Sequence, residues 1–174
     1  MPKPEDDKQI EEAIKFLIFA YQKSGKNTKP VILHSIRVGL HLYHLNYDKD
    51  IVIAAILHDV IEDTDVKISE LKLRFGMEIA HVVEANSFDE SIENKTERYK
   101  ENFERCCKTG RDALIVKAAD FYDNLDYYPL ASTNELRKWL LDKLRYFIEN
   151  SKDILKDEII YKELVTKYEK ITSS

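Results

Sequence analysis

The stretch IVIAAILHDVIEDT, Ile51 to Thr64, runs through seven apolar residues and then becomes ionisable at His58, Asp59, Glu62 and Asp63. Read as a helix from about Asp50, it places Ile51, Ala54, Ala55 and His58 on one face. Positions four apart share a face, so His58 lies over Glu62 and Asp59 over Asp63. A core-facing stripe thus ends in ionisable groups, which are costly to bury unpaired. A metal ion would offset that cost. Glu62 and Asp63 also fall at the expected helix C-terminus, where negative charge opposes the helix dipole. Helix stability alone therefore does not account for them.

The pattern on either side is helical as well. Apolar residues recur at three- and four-residue spacing almost throughout, and no stretch sustains two-residue alternation. The fold class predicted is all-α, an irregular helical bundle without a sheet. Ile10, Ala13, Ile14, Leu17, Ala20 and Tyr21 make one face of a first helix ending near Ser24-Gly25. Pro30 suits the first turn of a second, which runs to about Asn46. Gly76 divides Ser69–Phe75 from Met77–Asn86, and residues 87–95 read as a polar loop. Further helices are predicted over 96–108, 111–128, 133–150 and 153–171, the last a charged helix packing on the bundle.

Two of these helices repeat the polar-in-apolar pattern. In the second, Val31, Val38 and Leu42 form a stripe that includes His34. In VKAADFYDN, Asp120 and Asn124 stand four apart on one face. His34, His58, Asp59 and Asp120 together make a mixed nitrogen and oxygen set. Such a set suits Mn, Fe, Ni, Zn or Mg and is unlike a thiolate structural site. Each member also has a plainer reading. His34 alone reads as a satisfied helix histidine, and Asp120 as a partner of Lys117 or a cap. Glu62, Asp63 and Asp65 read equally as a solvated acidic turn. His41, His44 and His81 read as structural or surface residues, and Tyr127, Tyr128 and Trp139 as core or pocket wall.

Composition narrows the choices. The 174 residues suffice for one domain with its own core. Ile51 to Leu57 is far too short to cross a bilayer, and the acidic start MPKPEDDKQ lacks the apolar stretch of a signal peptide. The adjacent Cys106 and Cys107 offer neither a disulfide framework nor a CxxC pair. The compartment expected is the cytoplasm. A net charge of -5 argues against a nucleic-acid polymer as partner. It is compatible with a small phosphorylated ligand neutralised by a metal and a few local Lys or Arg.

With these residues in place, the order His34 … His58-Asp59 … Asp120 resembles the HD superfamily of metal phosphohydrolases. AAILHDVIEDT, KSGK…PVILHSIRVG, LKLRFGMEIAHVVEANS and VKAADFYDNL are similar in order to the hydrolase domain of RelA/SpoT-type proteins, over roughly residues 8–130. The resemblance implies removal of pyrophosphate from guanosine tetra- and pentaphosphate, in a small stand-alone form. It implies Mn2+ as cofactor, with Mg2+, Fe2+, Ni2+ and Zn2+ as alternatives. His34, His58, Asp59 and Asp120 match the metal ligands, and Glu62 and Asp63 the acidic pair that orients or deprotonates water. Asn124 matches a nucleotide-contacting position, and Lys23 falls near the basic residue before the first histidine. Gln22 stands where a second basic residue is common. The family's ADRLHNMR-like run here reads ADFYDNLD, and Phe121, Asp123 and Asp126 make the pocket more acidic.

The expected chemistry is metal-assisted hydrolysis of a phosphorylated nucleotide. Glu62, supported by Asp63, accepts a proton, while Lys23, Lys26 and Arg37 neutralise phosphate. The alternatives are an HD-type 5′-nucleotidase or other phosphomonoesterase, and a nucleotide-binding regulatory module without turnover. The acidic pair argues against the module, since binding does not require Glu62. No motif specifies a base or an oligomeric state.

Overall fold

The computed structural model describes residues 4–25 and 30–173, and Lys26 lies outside them. Among the described residues the secondary structure is helical and contains no strand, as predicted. The helices are α1 (Pro4–Ser24), α2 (Val31–His44), α3 (Lys49–Leu57), α4 (Val60–Asp63), α5 (Ile68–Phe75), α6 (Met77–Asn86), α7 (Lys95–Thr109), α8 (Arg111–Asn124), α9 (Asn134–Leu155) and α10 (Ile159–Thr172). A 3-10 helix, Leu125–Leu130, joins α8 to α9. No described helix is long and apolar enough to cross a membrane.

Two helices form the centre. Every residue from Ile51 to Leu57 is buried, and so is every residue from Ala113 to Ala119. The expected one-sided stripe on α3 is therefore a helix buried all round, as its continuous apolar run allows. Gly39 of α2 lets that helix approach closely, because a Cβ there would overlap the Ile56 side chain and press on the Val52 carbonyl. That contact brings the His34 and His58 rings to 5.2 Å between centroids.

The C-terminal end of α6 is fixed by side chains from α7 and α8. Asn102 Nδ2 donates to the carbonyls of Ala85, Asn86 and Ser87. Arg105 donates to those of Glu84 and Ser87, and Lys117 Nζ to that of Asn86. These carbonyls have no partner within the helix. Satisfying them pins the turn at Phe88, whose amide N–H points back to α4. Lys117 is thereby committed to α6, not to Asp120 as one plain reading expected.

Three boundaries differ from the sequence expectation. The helix through Ile51–Asp63 is interrupted at His58-Asp59, between α3 and α4. The helix expected over 111–128 gives way to 3-10 geometry at Leu125. Pro129 lacks an N–H, and in an α-helix its ring would crowd the carbonyl four residues back. The break expected after residue 150 falls instead after Leu155. Ser151 is buried and donates its hydroxyl to Phe147 O at 2.7 Å, so the helix carries it through. Glu158, which leads into α10, is held by Tyr47 from the loop after α2 and by Arg111 of α8.

Candidate metal centre and adjoining cavity

Four polar side chains from α2, the α3–α4 turn and α8 converge on one point. His34 Nε2 lies 3.2 Å from Asp120 Oδ1 and 3.8 Å from Asp59 Oδ2. His58 Nε2 lies 3.2 Å from Asp59 Oδ2 and 3.6 Å from Asp120 Oδ1. Donors bound about 2.1 Å from one ion stand roughly 3 to 3.5 Å apart; the two 3.2 Å separations fall in that range and the other two lie slightly beyond it. One ligand atom each of His34, His58 and Asp120 lies within 4.8 Å of the others.

The tautomers also fit. His58 Nδ1 is 2.7 Å from Ala55 O. A carbonyl can only accept, so Nδ1 carries the proton and the lone pair of Nε2 faces the cluster. That Nε2 is buried with no hydrogen-bond partner, a costly state that a cation would relieve. His34 Nδ1 is 2.7 Å from Asp123 Oδ2, which sets the same tautomer there. Burial works against charge on His34, but hydrogen bonds to Asp120 and Asp123 outweigh it and lift its pKa to about 9. Asp120 is held well below the usual carboxylate range; burial opposes this, and the hydrogen bond from His34 together with the charges of both imidazoles prevails. The carboxylates thus attract positive charge at this point, and a metal cation can stand in for those protons.

Beside the cluster, Glu62 Oε1 accepts the Phe88 N–H at 2.6 Å. Burial, aided by the Asp59 charge, pushes its pKa up to about 7, with the Phe88 N–H and Lys117 pulling the other way. That value suits proton exchange near neutral pH. Asp63 is oriented differently, accepting the Tyr21 hydroxyl of α1 at 2.9 Å. Asn124 Nδ2 donates to Asp120 Oδ1 at 2.6 Å, as the spacing of four predicts.

A cavity of about 290 Å3 opens next to Asp120, lined also by Phe121, Asn124, Tyr127, Tyr128, Leu140 and Lys143. Tyr127 and Tyr128 are therefore pocket wall, one of the two readings their sequence allowed. The expected phosphate-binding cations are not all gathered here. Lys23 is exposed and lines a separate recess with Phe19, Asp65 and Glu70. Arg37 is held by Asp123, with Nε–Oδ1 and Nη2–Oδ2 both at 2.7 Å.

The cation that does reach the cavity is Lys143 of α9. Its Nζ sits 5.1 Å from the Trp139 ring, 5.2 Å from Phe121 and 5.5 Å from Tyr99. Burial lowers its pKa to about 8 despite the pull of Asp120. Lys143 lies beyond the stretch carrying the resemblance. Its sequence signal was weak, a lysine four residues after Trp139 on a charged helix. In the sequence alone Asp123 reads only as added acidity. The remaining histidines are structural or at the surface, as expected. His41 Nε2 meets Glu163 at 2.7 Å and tilts against Tyr122, joining α2 to α10, while His81 is exposed.

A helical bundle that gathers two histidines and two aspartates in this order is an HD domain. Residues 13–142 match the HD domain family, and the chain belongs to it. Among its relatives is mouse guanosine-3′,5′-bis(diphosphate) 3′-pyrophosphohydrolase MESH1, 34% identical over 67% of this chain and 68% of the mouse protein. The enzyme of the same activity from Aquifex aeolicus is 29% identical over 96% of this chain, which spans only 29% of that longer protein. A solved structure described as a metazoan ortholog of SpoT that hydrolyzes ppGpp superposes with a TM-score of 0.79. It covers 98% of this chain and 97% of its own at 23% identity, a likeness of fold.

Proposed function

We propose that the protein is a metal-dependent pyrophosphohydrolase acting on guanosine 3′,5′-bis(diphosphate) or a closely similar nucleotide. The observation that carries this reading is the convergence of two imidazole Nε2 atoms and the Asp120 carboxylate, with Asp59 alongside, beside a cavity lined by a half-buried cation. The naming of the relatives supports the substrate. His34, His58, Asp59 and Asp120 would hold the ion, Mn2+ in this reading. When bound, the cation supplies a Lewis acid that acidifies water and polarises the phosphoryl oxygen.

The chain's own residues supply the rest. Glu62, with a pKa near neutrality, takes the proton of the attacking water as its oxygen bonds to phosphorus. The bond from that phosphorus to the sugar 3′ oxygen breaks, and the oxygen leaves as a hydroxyl once protonated. Asp63, fixed by Tyr21, adds negative field from the neighbouring position. Asn124 keeps Asp120 in place and presents its remaining polar atom to the nucleotide. Lys143 receives phosphate charge within the cavity, where low polarity strengthens the attraction. Tyr127, half out in solvent, offers a face for the base.

A second reading is an HD-type phosphomonoesterase. It is favoured by the single cation, Lys143, among the cavity-lining residues, since one ammonium suits one phosphoryl group better than a chain of them. The test is a Mn2+-dependent assay on guanosine tetraphosphate beside nucleoside mono-, di- and triphosphates, with products resolved by chromatography and Asp59→Ala as control. Pyrophosphate release that the substitution abolishes is the expected result. Orthophosphate release from other nucleotides alone would transfer the assignment to the second reading.

A further inference from the structure

We propose that Asp123 is a positioning residue that holds His34 ready as a metal ligand, and that Arg37 serves this clamp instead of binding substrate. The inference rests on the metal-site reading above. It starts from two helical pairs three residues apart, His34 with Arg37 on α2 and Asp120 with Asp123 on α8, which share a face within each helix. Where α2 and α8 meet, the His34 imidazole is wedged between the two carboxylates. Nε2 faces Asp120 at 3.2 Å and Nδ1 faces Asp123 at 2.7 Å.

An ionised carboxylate can only accept, so Asp123 keeps the proton on Nδ1 and leaves the Nε2 lone pair aimed at the cluster. Outer carboxylates of this kind orient imidazole ligands and raise their basicity. Arg37 fixes the carboxylate itself. Its Nε takes Oδ1 and its Nη2 takes Oδ2, both at 2.7 Å, while Oδ2 also accepts from His34. This two-point grip sets the carboxylate plane and balances its charge, so Asp123 is kept on the outer edge of the ring. Asp123 is mostly buried, with 14% of its side chain exposed. Arg37 spends its remaining reach on Tyr127, whose hydroxyl lies 3.3 Å from Nη2. The two N–H groups of Nη1 stay uncommitted, but the charge of the guanidinium is already balanced by Asp123.

The experiment titrates Mn2+ into metal-stripped full-length protein, following free Mn2+ by electron paramagnetic resonance, for wild type, Asp123→Ala, Asp123→Asn and Arg37→Ala. Steady-state kinetics on guanosine tetraphosphate at saturating Mn2+ follow. Asp123→Ala is expected to weaken Mn2+ binding by about 10- to 100-fold, with kcat recovering to within a few-fold once the metal saturates. Asp123→Asn is nearly isosteric and its amide oxygen still accepts from Nδ1, so it restores part of the affinity and guards against a mere folding defect. Arg37→Ala should weaken Mn2+ binding in the same direction and less, with KM unchanged at saturating metal. Wild-type Mn2+ affinity in Asp123→Ala would overturn the clamp. A raised KM with unchanged Mn2+ affinity in Arg37→Ala would return that residue to the substrate. A wild-type chain that takes up no Mn2+ would instead remove the metal reading beneath both.

Discussion

The metal cluster and the cavity beside it share Asp120 yet are built on opposite terms. The cluster draws on α2, α3, α4 and α8, and two of these are the most deeply buried helices of the bundle. Each of its side chains sits one step from a residue buried to 2% exposure or less, such as Leu57 beside His58, Val60 beside Asp59 and Ala119 beside Asp120. The cavity's far wall is the 3-10 helix and the first half of α9, where Tyr127, Leu130 and Leu136 are exposed. A close-packed frame fixes atoms to fractions of an ångström, as an ion requires. A thinner wall can change composition without disturbing that frame. In the proposed reading the chemistry is set in the core, and the choice of substrate at the edge.

The largest effect should come from the shared residue. Asp120→Ala removes a ligand and the contact that holds Asn124, so Mn2+ affinity and turnover should fall together by ~1,000-fold or more. Calorimetric titration and an initial-rate assay would check this. Retained metal binding would mean that the cluster and cavity are not joined through Asp120. Glu62→Gln separates chemistry from binding. The amide can still accept the Phe88 N–H, so Mn2+ uptake should stay within a few-fold while kcat drops by about 100- to 10,000-fold. The sign of the pH dependence follows from the raised pKa of about 7. Glu62 is a base only when ionised, so the wild-type rate should fall about tenfold per pH unit below an acid limb at or under neutrality. The cation's charge favours the ionised form and moves the limb down. Glu62→Gln should lack that limb, and an unchanged pH profile would dismiss Glu62 as the base.

The same contrast explains what the sequence disclosed. The all-α class and most helix boundaries were legible because apolar spacing and breakers such as Gly76 act locally. At Gly76 the backbone takes φ +93, and its N–H closes α5 on Lys72 O. The convergence of His34, His58, Asp59 and Asp120 was legible because polar residues inside apolar stripes are costly and therefore conspicuous. The turn at His58-Asp59 was not, since HDVIED has no breaker, and the contacts made just after it, Glu62 with Phe88 and Asp63 with Tyr21, are tertiary. Nor was the fate of the cations. Which of Lys23, Arg37 and Lys143 reaches the cavity depends on pairing between α2 and α8 and on the docking of α9, contacts 86 residues apart in the Arg37–Asp123 case. A lysine among charged residues carries no local mark of burial.

Lys143 sharpens the comparison from the cavity side. Lys143→Met keeps an unbranched chain between the Trp139, Phe121 and Tyr99 rings and removes the charge. A charged hydrogen bond contributes about 1.5–3 kcal/mol, so KM on guanosine tetraphosphate should rise roughly 10- to 100-fold, with Mn2+ affinity unchanged. Lys143→Arg should recover part of the loss. A change in Mn2+ affinity with KM untouched would place Lys143 in service of Asp120 and not of the substrate.

The smallest effect tests whether the edge is independent of the core. Thr133 caps α9, its Oγ1 accepting the Leu136 N–H at 3.1 Å. Thr133→Ala should cost about 0.5–2 kcal/mol of local stability, and fraying of this kind is confined to the first turn. Leu140 and Lys143 lie seven and ten residues beyond the cap, further than one turn reaches. Thermal unfolding should therefore shift down by a few degrees at most, amide exchange should quicken near Leu136, and KM should change less than twofold. Mn2+ affinity should not move at all, because no ligand side chain lies on α9. If it did move, loosening one end of the cavity wall would have reached the cluster. The core frame and the edge would then be one cooperative unit, and the substrate wall could not vary independently of the metal site.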